Sequence, residues 1–380
     1  MNNFEIRTDL ALETRELYRK ASKIDNEIPG IETEINDEDK NILITKVRII
    51  SDEGANILGK PIGDYITIES PYINDEIQEF DEKFIKKTSE IIKSLANLKD
   101  NDSILVVGLG NSDVTPDSLG PKSIEKLEIT RHLVKYAPEL LPENTRQISA
   151  VVPGVLGTTG IETSDIIKGI IAETSPDILI VIDALAAKEM NRIGRTIQIS
   201  NTGITPGSGV KNNRSSLSKD NLGIPVIAIG VPTVVGIPVI VEEAVSYVRD
   251  KSQEANEYLE NKEYLKEILS NKDFDFMVTP NDIDDITNNL SRLIAESVNL
   301  ALKWTMGTAF FVHFVCITWY YVNNAFGDPS EKQKKVRFFC FLKGSPKAEQ
   351  KRLSLLFTNY PLQPNLQVNF TKFRIYIKFC

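Results

Sequence analysis

Three aspartates lie where short apolar runs give way to other structure: Asp113 and Asp117 follow "SILVVGLG", and Asp183 closes "DILIVID". Carboxylates so placed can do two kinds of chemistry. A close pair in a partly dry cleft does not ionise fully, so one keeps a proton and the two can serve as acid and base on a water molecule. Alternatively, Asp113, Asp117 and Asp183 can together hold a divalent cation, because hard cations take oxygen ligands. Residue types and spacing leave both schemes open. Each acid also has an ordinary role. Asp183 can cap a helix beginning at "ALAAKEM", and Asp117 can be the residue after Pro116 in a turn. Glu162 and Asp165 suit the first turn of a helix better than catalysis.

Other chemistries are scarce. The loop "VVGLGNSDVTPDSLGP" starts like a phosphate-binding turn, but Asp113 stands where a third glycine is needed and no Gly-Lys-Ser/Thr follows. The three cysteines, Cys316, Cys340 and Cys380, all lie near the carboxyl end. Before them there is no thiol nucleophile and no disulfide framework. His132 is the one histidine before residue 304, and it sits in the helical pattern "ITRHLVKY".

The elements that must position the acids follow one grammar. The runs 103–110, 148–154, 177–184 and 224–233 are apolar on both faces and end in Gly, Pro or Asp. Helical segments follow them, which predicts a parallel sheet between helix layers. Ligands in such sheets meet the loops at the carboxyl ends of the strands. That rule collects Asp117, "PGVLGTTGIETSD", Asp183 and "GVPT" on one edge. Upstream, "ALETRELYRKA" and residues 75–98 have helical spacing. The acidic stretch before residue 39 reads as a loop, and "SDEGANILGKPIG" as turns. "NILITKVRII" and "DYITIES" read as an antiparallel pair outside the main sheet.

The net charge of −9 hides a division. From residue 307 there are 11 basic and 3 acidic residues, against 33 basic and 50 acidic before it. So acidic a body is a poor binder of nucleic acid. The amino terminus lacks the apolar core of a secretory signal, so the expected location is cytoplasmic.

Taken in order, "RTDLALE", "GLGN", "VTPDSLGP", "ITRHL", "VPGVLGTTGIETSDII", "IDALAA", "TIQISNTGITPGSGVKNNR", "GIPVIAIGVPTVV", "FMVTPNDID" and "NLALK" resemble the spore germination proteases across roughly 7–303. These endopeptidases degrade small acid-soluble spore proteins. The resemblance implies an α/β, three-layer, doubly wound, mainly parallel sheet like that of the hydrogenase maturation proteases, with an added antiparallel β element at about 40–70. It also implies an aspartic-type active site at Asp117 and Asp183, without cofactor or metal, working in the spore core within a homotetramer. Members are zymogens that remove a short propeptide and cut after an acidic P1, before a hydrophobic P1′ and Ala at P2′. Asp9, Leu10 and Ala11 fit that pattern, which makes 1–9 the propeptide and 10–303 the protease domain. P4 would be Ile6. Burying a lone P1 carboxylate is costly, and Lys211 and Arg214 are candidates to receive it. The rival readings are a metal-dependent maturation-type peptidase and a non-catalytic α/β binding module. One departure is a shorter segment between "GVPTVV" and "FMVTP" than the family usually has.

The other departure is the tail. "WTMGTAFFVHFVCITWYYV" offers 19 residues without fixed charge, close to the ~20 that span a bilayer. A basic, Phe-rich segment follows. Residues 304–380 read either as a membrane anchor or as the product of a shifted reading frame. The second is preferred, because AT-rich DNA read off frame yields this composition.

Overall fold

A computed structural model describes residues 8–24, 26–142, 145–206, 215–251 and 276–303, with four short strands beyond them. The chain divides into two compact units, Met1–Thr305 and Met306–Cys380. In the second, Lys335–Val336 pairs with Phe357–Thr358 and Gln367–Phe370 pairs with Phe373–Tyr376, both antiparallel. No helix among the described residues is long and apolar enough to cross a membrane. The apolar run 304–322 lies outside the described residues.

The first unit is built on one sheet. Its strands are β1 (Ile31–Asp39), β2 (Ile42–Ile49), β3 (Gly63–Glu69), β4 (Ile104–Gly108), β5 (Ile148–Val151), β6 (Ile178–Ala187), β7 (Thr196–Ser200), β8 (Val226–Gly236) and β9 (Met277–Val278). They run in the order β1-β2-β3-β7-β8-β6-β4-β5, and β9 pairs with the end of β8. The helices are α1 (Ala11–Ser22), α2 (Asp52–Leu58), α3 (Gln78–Ala96), α4 (Leu119–Ile124), α5 (Arg131–Tyr136), α6 (Leu156–Thr159), α7 (Thr163–Thr174), α8 (Lys219–Leu222), α9 (Ile237–Lys251) and α10 (Ile283–Leu302).

Strands β8, β6, β4 and β5 are parallel, and β7, β3, β2 and β1 continue the same sheet antiparallel. The antiparallel pair is therefore not outside the main sheet. Strand β7 bridges it to β8, a link that no local signal in "TIQIS" announces. The acidic stretch read as a loop holds β1, whose Ile31 pairs with Ile49 and Ile35 with Thr45. It is an edge strand, where charged side chains are expected because they discourage pairing with other chains. "SDEGANILG" contains α2 rather than turns alone; the Ser51 hydroxyl accepts the Gly54 N–H as an N-cap, and Gly59 closes the helix in the left-handed region.

Alternation along the strands sends side chains to two faces. Ile104, Val106, Ile180, Ile182, Ile197, Ile199 and Ile229 face α3 and α10 in the largest core cluster. Leu105, Val107, Leu179 and Val181 face α7, with its Ile167. On that same second face, Val47, Ile49 and Tyr65 of the antiparallel half pack beneath α1 and α2. Each fully buried Ile or Leu contributes roughly 1.5–3 kcal/mol, so the three layers are held by both faces of one sheet. The second face is covered by two separate groups, α1 with α2 and α7.

Candidate active site

Strand order reverses at β4, which has β5 on one side and β6 on the other. A crevice at the carboxyl ends of such strands is the place where α/β sheets bind ligands. The loop leaving β4 starts at that end of the sheet. Leu109 N–H donates to Ile182 O at 2.8 Å, tying that loop to the residue before Asp183. The chain then makes a single 3-10 turn, Thr115–Asp117, that packs against α10, β6 and β8. Asp117 is half-buried, and its Oδ2 accepts the Asn111 N–H at 2.7 Å. Gly110 makes this turn possible. Its φ is +112°, and a Cβ there would lie 1.9 Å from the Asp117 carbonyl oxygen.

Asp183 is not a helix cap. Strand β6 runs on through "ALAA" to Ala187, leaving Asp183 inside a strand and 6% exposed. "ALAA" has good local helix formers. The ladder to β8 overrides them, pairing Asp183 with Gly230, Ala184 with Val231 and Leu185 with Pro232. A register shift between Leu185 and Ala186 then carries the pairing on to Ala187 and Val235. Asp183 Oδ1 accepts the Ala184 N–H at 2.9 Å.

A row of residues crosses the sheet here: Asp183 on β6, Gly230 on β8, Gln198 on β7 and Thr67 on β3. Laterally paired residues share a face, so Asp183 and Gln198 point to the same side, two strand spacings or about 10 Å apart. That side is the second face, between α7 and the α1–α2 pair. Gly230 adds no side chain to the row. A Cβ on it would lie 2.4 Å from Leu185 Cδ1, so Leu185 forms the apolar floor between acid and amide.

The amino-terminal segment is seated on this row. Asp9 N–H donates to Ala186 O at 3.0 Å, and Ala186 N–H donates to Asp9 Oδ2 at 2.9 Å. The Asp9 carbonyl oxygen accepts from Lys60 Nζ at 2.9 Å and from Gln198 Nε2 at 3.2 Å. Gln198 Oε1 accepts the Ala11 N–H at 2.7 Å. Leu10 and Ala11 are fully buried. Farther along, the buried Glu13 accepts N–H groups of Lys188 at 2.8 Å and Glu189 at 3.0 Å, and the Thr8 hydroxyl. Burial raises the Glu13 pKa despite these donors and Arg192. Burial lowers that of Lys60, although the charges of Asp9 and Glu13 pull it back up. Arg192 anchors the rest of α1, reaching Glu16 at 3.0 Å and Glu69 at 3.0 Å. Burial alone would lower its pKa, but Glu16, Glu69 and Glu189 hold it above the ordinary arginine value.

Asp183 lies within β6, Asp9 bonds to Ala186 of β6 and Gln198 of β7, and Asp117 stands in the turn that follows β4. Asp113 is exposed at the loop tip. Among the described residues no three His, Cys, Asp or Glu side chains come together as a possible metal site. His132 is exposed on α5. Ile6, Lys211 and Arg214 lie outside the described residues. Sequence reasoning missed Lys60 and Gln198. The "GK" after α2 reads as a turn, and a glutamine inside an apolar strand was the one available signal.

Residues 11–258 match the family model described as germination protease. The germination protease of Caldanaerobacter subterraneus subsp. tengcongensis is 45% identical over 78% of this chain and 94% of its own length. That of Clostridium perfringens is 42% identical over 80% and 97%, and that of Bacillus subtilis 39% identical over 80% and 94%. Among solved structures, the [NiFe] hydrogenase maturation protease HycI from Thermococcus kodakarensis KOD1 is similar at a TM-score of 0.29 and 17% identity, over 55% of this chain and 98% of that one.

Proposed function

The chain belongs to the germination protease family and is a peptidase of spore germination; from that premise we propose that Asp117 and Asp183 are its catalytic carboxylates and that its first substrate is its own amino terminus. The bond cut is Asp9–Leu10, which makes 1–9 a propeptide and 10–303 the protease domain. The observation that carries this is the seating of Asp9, Leu10 and Ala11 on Gln198, in the same row and on the same face as Asp183.

The chemistry needs no thiol and no histidine. A water molecule attacks the Asp9 carbonyl carbon while one carboxylate takes its proton. The carbon–nitrogen bond to Leu10 breaks as the other carboxyl supplies a proton to the leaving nitrogen. Asp9 leaves with a new carboxylate and Leu10 keeps the new amino terminus. Cleavage in trans then follows the same pattern, an acidic P1 before a hydrophobic P1′ and Ala at P2′, in small acid-soluble spore proteins within the spore core. The protein works as a homotetramer, and the tail from 304 has no catalytic part.

The test is intact mass against time for the purified protein at mildly acidic pH, beside Asp183→Asn. Loss of residues 1–9 from the unmodified chain and not from the variant is expected. Equal loss from both would remove Asp183 from the mechanism.

A further inference from the structure

The carbonyl of the Asp9–Leu10 bond is met in an unusual way. Its oxygen accepts from two side chains, Lys60 and Gln198, that are 51 and 189 residues away in sequence. They come from different elements, Lys60 just after α2 and Gln198 inside β7. Gln198 grips both sides of the bond, donating to the Asp9 carbonyl and accepting the Ala11 N–H at 2.7 Å. These are backbone groups, so the same two contacts are available to any peptide laid along this row.

We propose that Lys60 and Gln198 are catalytic residues that stabilise the negative charge developing on the carbonyl oxygen of the bond after an acidic residue. The proposal rests on the reading that Asp9–Leu10 is cut. When water adds to the carbonyl carbon, the C=O electron pair moves onto oxygen, and a tetrahedral oxyanion forms between the two donors. Pre-set N–H groups in a site sheltered from water strengthen as that charge grows, without reorganisation. The lysine brings a positive charge as well as a donor, and its surroundings hold the Asp9 side chain too. With the oxygen already served, the protonated carboxyl of the acid pair is left for the Leu10 nitrogen. When the C–N bond breaks, the oxyanion collapses to the new carboxylate of Asp9, and the proton goes to the Leu10 amine. Atoms and charge balance with water as the only co-reactant.

The competing role is a passive latch that only holds residues 8–11 in place. The two roles part in their effect on rate. A latch that only stabilises the uncut chain leaves the rate of cutting unchanged or raised when it is lost, and loss of a group that only seats the bond slows cutting without moving its pH profile. A charge stabiliser acts in the transition state, so its loss slows cutting.

The experiment is intact mass against time on the full chain, comparing the unmodified protein with Lys60→Met, Gln198→Met and Lys60→Arg. Methionine keeps the stem and apolar packing of either residue without the N–H groups, and a thermal melt on each variant reports folding. Each methionine variant is expected to remove residues 1–9 about 10²-fold more slowly, in line with the loss of one oxyanion donor. Two independent sites keep the test open should one variant fail to fold. Lys60→Arg is expected to retain most of the rate and to extend activity to higher pH, because a guanidinium stays charged where the buried amine, facing Asp9 and Glu13, loses its proton. Processing at the unmodified rate or faster in either folded methionine variant would overturn the proposal while leaving the Asp9–Leu10 site intact. Failure of the unmodified chain to lose residues 1–9 would instead bring down the reading beneath it, and the proposal with it.

Discussion

The two halves of this sheet divide the labour. The parallel half, β8-β6-β4-β5, carries the acids, Asp183 within β6 and Asp117 in the turn that follows β4. The antiparallel half, β1-β2-β3-β7, carries the groups that grip a peptide, with Gln198 on β7 and Lys60 entering β3. A parallel strand must send its chain away across a helix, so its carboxyl end opens a crevice with room for reacting groups. An antiparallel strand brings its neighbour straight back. It therefore builds a continuous surface on which α1 and the residues before it can lie. The peptide bond of interest is gripped by Gln198, which β7 sets opposite Gly230 of β8 where the two halves meet.

Variants in each half should therefore fail differently. Asp117→Asn and Asp183→Asn are expected to have the largest effect, cutting self-processing at least ~10³-fold, within the range of general acid–base catalysis. Their melting temperatures should stay close to the unmodified value. A large fall in stability with residual processing would make these acids structural and break the division. Gly110→Ala comes next. The new Cβ collides with the Asp117 carbonyl, and a displacement of about 1 Å costs on the order of 10²-fold in rate. A crystal structure of this variant should show the 3-10 turn moved.

In the antiparallel half the expected loss is of stability. Arg192→Met leaves Glu13 buried, with Glu16 and Glu69 unpaired beside it. Breaking such a buried network by removing one partner costs about 3 kcal/mol, measurable by urea unfolding. An unfolding midpoint equal to that of the unmodified chain would show that the Arg192 ion pairs do not hold α1.

The smallest effect is a pH dependence. Burial raises the Glu13 pKa above its ordinary 4.5. The folded chain then holds a proton that the unfolded chain has released. This contribution to stability is fully present below the unfolded value and is lost as pH rises through the folded one. Glu13→Gln should flatten the stability profile above pH 4.5, read from melting temperatures across that range. An unchanged slope would assign it to Glu69, whose pKa burial also raises.

Much of the parallel half was legible. Runs such as "ILVVG" and "ILIVI" are apolar at every position, a pattern only a strand between two helix layers requires. Their carboxyl ends pointed to Asp117 and Asp183 without any fold in hand. The antiparallel half was harder. Strand β1 is charged because it is an edge, and a charged edge looks like a loop. Helix α2 is seven residues long, too short for its periodicity to register.

Asp183 marks the boundary between the two kinds of knowledge. The sequence by itself determined that a carboxylate would end an apolar run at Asp183, because that depends only on residue type and local period. Whether "ALAA" then became helix or strand depended on β8 lying alongside, with Ala184 against Val231 and Ala187 against Val235, and tertiary pairing outweighed local preference. The same holds for Lys60 and Gln198. Nothing local distinguishes them from a turn lysine and a strand glutamine, since what they touch lies 51 and 189 residues away. Only the closed sheet brings both to one carbonyl oxygen, because hydrogen bonds act over about 3 Å of space and not along the chain.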